Sequence, residues 1–287
     1  MGDLHWTTRL SETTENGIRI RGYDLVELIG SVPFPSVLYL LYTGELPTPP
    51  VAKLIDAIMV ASIDHGPGAP SALAARTAAS GGAPLGAAAA AGLLTLGKFH
   101  GAAVQDAMEA IQQVVDLSAN NANRANGKNK ISEDSRNSRI DFPASDLDCA
   151  ADKVVAEWRK AGRRLAGFGH RQHKRQDPRL ARLFDLAREA NVPGNHLRAA
   201  RAIQDALQRA TGKELPINID GAIAAILCEI GFPMTLSNAL FIVARLAGIL
   251  AHAHEEMTTM PPMRRIDPVD FGYAGPPDRA LPTTHRE

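Results

Sequence analysis

From Val51 to Ile63 the apolar residues Val51, Leu54, Ile55, Ile58, Met59 and Ile63 recur at the three- and four-residue spacing of an amphipathic helix. Helical periodicity also runs from about Cys149 to Gly162, and through residues 178–190 and 194–211, which Pro193-Gly194 separates. Residues 68–99 carry Ala, Gly and Leu, with a break at Gly81-Gly82, and predict helices packed closely through small side chains. After Pro216 the run Ile217-Asn218-Ile219-Asp220 leads into an apolar helix, AIAAILCEI, that Gly231 and Pro233 stop. The longest candidate helix runs from about Thr235 through Glu256. Gly and Pro punctuate the first fifty residues into short elements, with a short helix over Val37–Tyr42. Residues 119–146 are rich in Asn, Ser and Arg and predict a mobile polar insertion. The Pro- and Gly-rich tail from Pro261 predicts an extended surface segment.

Composition turns this pattern into a fold class. Alanine occurs 46 times and aromatics make up only 5% of the 287 residues, a balance that favours helix over strand and predicts an all-α fold. With 45% apolar and 22% charged residues the chain can bury a sizeable core. Lys and Arg number 31, as do Asp and Glu, so no net field draws nucleic acid or an anionic membrane, and neither is expected as a partner. Cys149 and Cys228 are too few and too far apart for a disulfide scaffold or a four-ligand zinc site, and point to a reducing cytoplasm. No basic segment followed by an apolar run opens the chain, so no secretory signal is expected. The most apolar stretch, Ala239 to Ala251, holds Arg245 and is too short at 13 residues to span a bilayer.

Candidate chemistry lies at the ends of these elements. His65 in DHGP, His100 in KFHGA and His170 in GFGHR each sit beside Gly at a junction, where a side chain is rigidly held yet open to a cleft. Each alone could be a capping or surface histidine; three of them, with Asp220 at a fourth junction, favour a site. Arg245 in the apolar run FIVARLAGILAH must meet an anion, either a protein carboxylate or a substrate carboxylate, because an unpaired buried charge is costly. His170/His173 and His252/His254 have metal-like spacing without a third ligand nearby, and no metal is expected. Phosphate-binding, dinucleotide and serine-hydrolase motifs are absent.

GIRIRGYDLVELI, LLYTGELPT, GFGHRQHKRQDPR, NIDGAIAAIL and VARLAGILAHAHEE together resemble the citrate synthase superfamily, in its order and over nearly the whole chain outside 119–146. IDHGP, NIDGA and AHAHEE are closer to citryl-CoA lyases and to the citryl-CoA-cleaving module of ATP-citrate lyase. HGAAVQDA departs from the glycine- and asparagine-rich run of the family.

The resemblance implies an all-α homodimer whose large helical domain, residues 1–102 and 222–287, carries a smaller mobile domain, residues 103–221. It implies interconversion of acetyl-CoA plus oxaloacetate with citryl-CoA, by a citrate synthase or a citryl-CoA lyase, with the coenzyme A thioester as substrate and no bound cofactor. The alternatives are a methylcitrate-type synthase acting on another acyl-CoA or keto acid, and a non-catalytic CoA-binding paralogue or subunit. Asp220 matches the family's base, His100 its enol-stabilising donor and His170 the residue that polarises the oxaloacetate carbonyl. His65, Arg171, Arg179 and Arg245 match substrate-binding positions. Arg265, with Arg264 as fallback, matches an arginine donated across the dimer. The CoA adenine would lie on the backbone of Leu165, Ala166, Gly167, Phe168 and Gly169. Such residue types suit an enolate reaction, which needs a base at the methyl group, a donor at the thioester oxygen and guanidinium groups for the carboxylates.

Overall fold

The computed structural model describes residues 7–97, 99–101, 103–125, 142–169 and 177–281. It is mostly helical. Helices α1 (Leu25–Leu28), α2 (Phe34–Thr43), α3 (Pro49–Ser62), α4 (Pro70–Ser80) and α5 (Leu85–Leu93) precede the long α6 (Val104–Ala125). Then come α7 (Ala144–Lys160), α8 (Pro178–Glu189), α9 (Asn195–Thr211), α10 (Ile219–Glu229) and α11 (Ser237–Thr259). Proline at the first turns of α2, α3, α4 and α8 starts these helices where its missing N–H costs nothing.

The all-α expectation is met in the main, but three short antiparallel strands precede the helices: β1 (Ser11–Thr14), β2 (Gly17–Ile20) and β3 (Tyr23–Asp24), ordered β1-β2-β3. Glu15 and Asn16 make the two-residue turn of the β1–β2 hairpin and Gly17 opens β2, a short turn signal that the helix-biased composition obscured. The polar insertion also begins later than residue 119, because α6 continues to Ala125, and it ends earlier, because α7 starts at Ala144. Ser118, buried on α6, donates from Oγ to Val114 O in its own helix and to Asp146 O of α7. Residues 126–141 lie outside the described residues.

Two apolar clusters hold the fold. The larger joins α3, α6, α7, α8, α9 and α10 through fully buried side chains such as Leu54, Ile58, Ile111, Ile203, Ile223 and Ile226. The smaller, Ala75, Ala79, Ala88, Ala89, Ile249 and Ala253, packs α4 and α5 against α11 at close range. The apolar stretch that includes α11 is longer than the sequence reading allowed. Met234–Thr259 spans 26 residues, and an 18-residue window within it has mean hydropathy 1.7, enough by length and composition to cross a membrane. Here it is a core helix: it packs against α3, α4 and α5 and buries Arg245 and Glu256.

Candidate active site

The site is organised around the start of α10. Asn218 caps this helix by accepting from the N–H groups of Asp220 (2.9 Å) and Gly221 (3.2 Å). That fixes Asp220 in the first helical turn. The segment 167–169 runs antiparallel beside 216–218: Asn218 N–H donates to Gly167 O (3.0 Å), Gly169 N–H to Pro216 O (2.7 Å) and the Asn218 side chain to Gly169 O (2.9 Å). The approach is too close for side chains. A Cβ on Gly221 would lie 2.4 Å from Gly167 O, and Gly167 itself has φ +85°. The two glycines therefore bring the expected CoA-binding backbone directly against the expected base.

A cleft of about 740 Å³ opens between this floor and the α3–α4 and α5–α6 junctions. His65, His100 and Asp220 line it together with Ala166, Gly167, Phe168 and Gly169. Asp106 and Arg164 line it too, and the sequence reading missed both. Arg164 directly precedes the predicted 165–169 segment, but Asp106 in the first turn of α6 gave no motif.

His100 sits in a tight turn, with Gly97 and His100 exchanging backbone hydrogen bonds at 2.8 Å. Its Nε2 accepts from the Ser71 backbone N–H (3.3 Å) at the start of α4 and lies 2.9 Å from Ser71 Oγ. An acceptor Nε2 places the ring proton of a neutral imidazole on Nδ1.

Asp220 has one carboxylate oxygen, Oδ1, buried without a hydrogen-bond partner. Burial pushes its pKa up to about 6, against the lowering influence of Arg179 and Arg245. Both arginines have other commitments. Arg179 forms a bidentate pair with buried Asp177 (2.9 and 2.7 Å) and donates to Ala61 O (3.0 Å). Arg245 is 3% exposed, lies 4.8 Å over the Phe241 ring and donates from Nε to Ser62 O (2.9 Å). The carbonyls that end α3, with their partial negative charge, thus hold two guanidinium groups beside the cleft. Burial lowers the Arg245 pKa, and among the described residues no carboxylate pairs with it within ion-pair distance. Asp64 and Asp220 act on Arg245 through space, but among the described residues neither reaches ion-pair distance of it.

Arg264 pairs with Glu256 through Nε (2.7 Å) and Nη2 (2.5 Å), whereas Arg265 is exposed. His170 and Arg171 lie outside the described residues. On the far side of the 165–169 segment a second cleft, of about 400 Å³, is lined by Arg159, Arg163, Arg164, Leu165 and Phe168 among others. Among the described residues no group of three or more His, Cys, Asp or Glu is placed to hold a metal ion.

The family model of the citrate synthase C-terminal domain matches residues 47–266. The chain belongs to the citrate synthase family. A solved citryl-CoA lyase from Hydrogenobacter thermophilus is 36% identical and superposes with a TM-score of 0.81, over 98% of this chain and 99% of that one. An ATP citrate lyase from Methanosaeta concilii, solved in complex with (3S)-citryl-CoA, shares the fold at 20% identity, with a TM-score of 0.74 over 97% of this chain and 43% of that one. The citrate synthase of Haloferax volcanii is 28% identical over 82% of this chain and 55% of its own length. The chain thus spans about half the length of the curated citrate synthases that it matches over most of its own length.

Proposed function

We propose that this member of the citrate synthase family interconverts acetyl-CoA plus oxaloacetate and citryl-CoA in the cleft between Asp220 and His100. The observation that carries the reading is the convergence on one cavity, floored by 166–169, of His65, His100 and Asp220, one of whose carboxylate oxygens is buried without a hydrogen-bond partner. In the condensing direction Asp220 takes a proton from the acetyl methyl group while His100 Nδ1–H donates to the thioester oxygen. The enolate carbon then adds to the oxaloacetate ketone, and His170 protonates the new alkoxide, giving citryl-CoA. Cleavage runs these steps in reverse, with Asp220 returning the proton to carbon. A base with a pKa near 6 is ionised at neutral pH yet more basic than an ordinary carboxylate, which suits this proton transfer.

His65, Arg171, Arg179 and Arg245 are assigned to the substrate carboxylates. That no carboxylate among the described residues lies within ion-pair distance of Arg245 supports its place there. CoA is assigned to Leu165, Ala166, Gly167, Phe168 and Gly169, and the arginine-lined second cleft beside them suits its phosphates. No bound cofactor enters these steps. A homodimer would bring Arg265 of one subunit to the site of the other, and the exposed Met263, Ile266, Phe271 and Tyr273 around the tail suit such a contact. We keep the division into a large domain and a small one at 103–221, and a cytoplasmic setting in keeping with two free cysteines. The likeness to the Hydrogenobacter citryl-CoA lyase over both full chains favours the lyase direction.

Assays with acetyl-CoA plus oxaloacetate, and separately with citryl-CoA, followed by free thiol and product mass, test the reading. Citryl-CoA cleavage without hydrolysis to citrate is the expected result. Release of citrate and thiol would make the protein a synthase, turnover only with another acyl-CoA or keto acid would favour the methylcitrate-type alternative, and inertness in every arm would overturn the catalytic assignment.

A further inference from the structure

Five residues of α11, Asn238, Phe241, Arg245, Gly248 and His252, follow one another at steps of three, four, three and four. They lie along one face of the helix. At the upper end Asn238 Oδ1 accepts from the N–H groups of Val104 (3.2 Å) and Gln105 (3.4 Å), the first two residues of α6. The residue before them is Ala103, which has no side chain able to cap, so α11 supplies the cap from outside. Phe241 presses on Gly101, where a Cβ would fall 2.6 Å from the ring. The His100 turn is thereby held at its exit. At the lower end His252 Nε2 meets Asp64 Oδ1 at 3.1 Å, and Asp64 Oδ2 accepts from Gly66 N–H at 2.9 Å. Gly248 lets this turn lie close: a Cβ there would stand 2.4 Å from Ile63 O. His65 is thus held between Asp64, which His252 of α11 binds, and Gly66, which Asp64 binds in turn. Arg245 occupies the middle of the same face and donates to Ser62 O.

We infer that this face of α11 positions both cleft histidines, with Asn238 a positioning residue for His100 and His252 one for His65. The inference rests on the reading of the cleft as the acyl-CoA site, and it predicts opposite kinetic signatures for the two ends. Asn238→Ala lowers kcat by roughly tenfold or more, since a displacement of about 1 Å at a catalytic donor can cost 10²-fold, and leaves KM for oxaloacetate or citryl-CoA within about threefold. Asn238→Asp keeps the acceptor and restores kcat. His252→Leu raises that KM by roughly tenfold and leaves kcat within about threefold, because it loosens a binding residue. His252→Gln, which still donates to Asp64, restores it.

Histidine ring nitrogen NMR gives a readout that does not depend on turnover. With the His100 signals assigned by their loss in His100→Gln, the intact protein shows a single Nδ1-protonated tautomer. Asn238→Ala replaces it with averaged shifts, and His252→Leu leaves it unchanged. Unaltered His100 signals in Asn238→Ala overturn the inference whether or not the enzyme turns over. Loss of melting temperature with kcat and KM intact, or failure of both conservative variants to rescue, also overturns it. An inert wild type with the expected NMR changes would instead count against the functional reading alone.

Discussion

Two acidic side chains, Glu256 on α11 and Asp220 on α10, are withdrawn from solvent in opposite ways. Glu256 is 1% exposed, yet it sits shallow in the fold, covered by the arginines that pair with it. Arg264 donates two hydrogen bonds and Arg76 a third (2.8 Å), tying α4, α11 and the start of the tail together. Hydrogen bonding from Arg264, then from Arg76, holds its pKa below the ordinary carboxylate value. Asp220 has Arg179 and Arg245 near enough to act through space, but their hydrogen bonds go to Asp177, Ala61 and Ser62, and its Oδ1 has none. Its pKa rises to about 6. Burial alone therefore sets neither the charge nor the role of a carboxylate. The fold saturates the acid that straps helices together and leaves unsatisfied the acid that faces the cleft.

The largest test separates the two acids by activity. Asp220→Asn should lower kcat by about 10²- to 10⁴-fold, the usual contribution of a general base, while Glu256→Gln should stay within about threefold of wild type at a temperature where both are folded. Comparable turnover in the two variants would erase the distinction. The two neighbouring arginines come next. Arg264 serves Glu256, so Arg264→Ala should cost stability and little activity. Arg265→Ala should lower kcat/KM by roughly 10- to 100-fold, in line with about 1.5–3 kcal/mol for a hydrogen bond to a charged group. If the arginine crosses a dimer, mixing Arg265→Ala subunits with inactive Asp220→Asn subunits should recover activity, because one of the two mixed sites then holds both residues. No recovery, with mixed dimers demonstrated, would confine Arg265 to its own subunit.

Glu256→Gln supplies the complementary stability measurement. Removing the charge of Glu256 weakens its charge-assisted hydrogen bonds to two arginines, and with Arg264 40% exposed and able to hydrate, a loss of about 2 kcal/mol is expected here. Urea midpoints indistinguishable from wild type would show that the pairing contributes nothing.

The helices, and the three side chains His65, His100 and Asp220 that meet at one cleft, were legible because their signals are local. Periodicity located α3, α8 and α9, and His65, His100 and Asp220 stood out because Gly or a helix start flanks each one. Asp106 and Asn238 were not legible, because the fold alone puts the one at the cleft and the other at the start of α6. Nothing near Asn238 in the chain says that its amide will cap α6, more than 130 residues earlier. The pairing of Arg179 with Asp177 escaped for a different reason. The motif DPR contains both residues, but the sequence does not reveal whether the arginine turns back to its neighbour or outward to a ligand. The β1–β2 hairpin was obscured because the alanine content of the whole chain outweighed one short polar turn at Glu15-Asn16.

The smallest effect reads the Asp220 pKa through stability. Because the folded value of about 6 lies above the ordinary 3.8, the folded state binds this proton more tightly than the unfolded chain does. The resulting stability is fully present below about pH 4 and is lost as pH rises through about 6. At neutral pH the ionised carboxylate is a net cost that Asp220→Asn removes. The variant should therefore be more stable than wild type by about 1–2 kcal/mol at pH 7.5, less than the full shift implies because the side chain opens partly into the cleft. At pH 4 the gap should close, since both side chains are then neutral. Glu256 predicts the reverse slope, with stability present above the ordinary carboxylate value and lost as acid titrates it, so Glu256→Gln should narrow its deficit on acidification. Denaturant midpoints for both variants at the two pH values would decide it: a gap between wild type and Asp220→Asn that does not change with pH would mean that Asp220 titrates like an ordinary carboxylate, and the contrast between the two acids would then rest on hydrogen bonding alone.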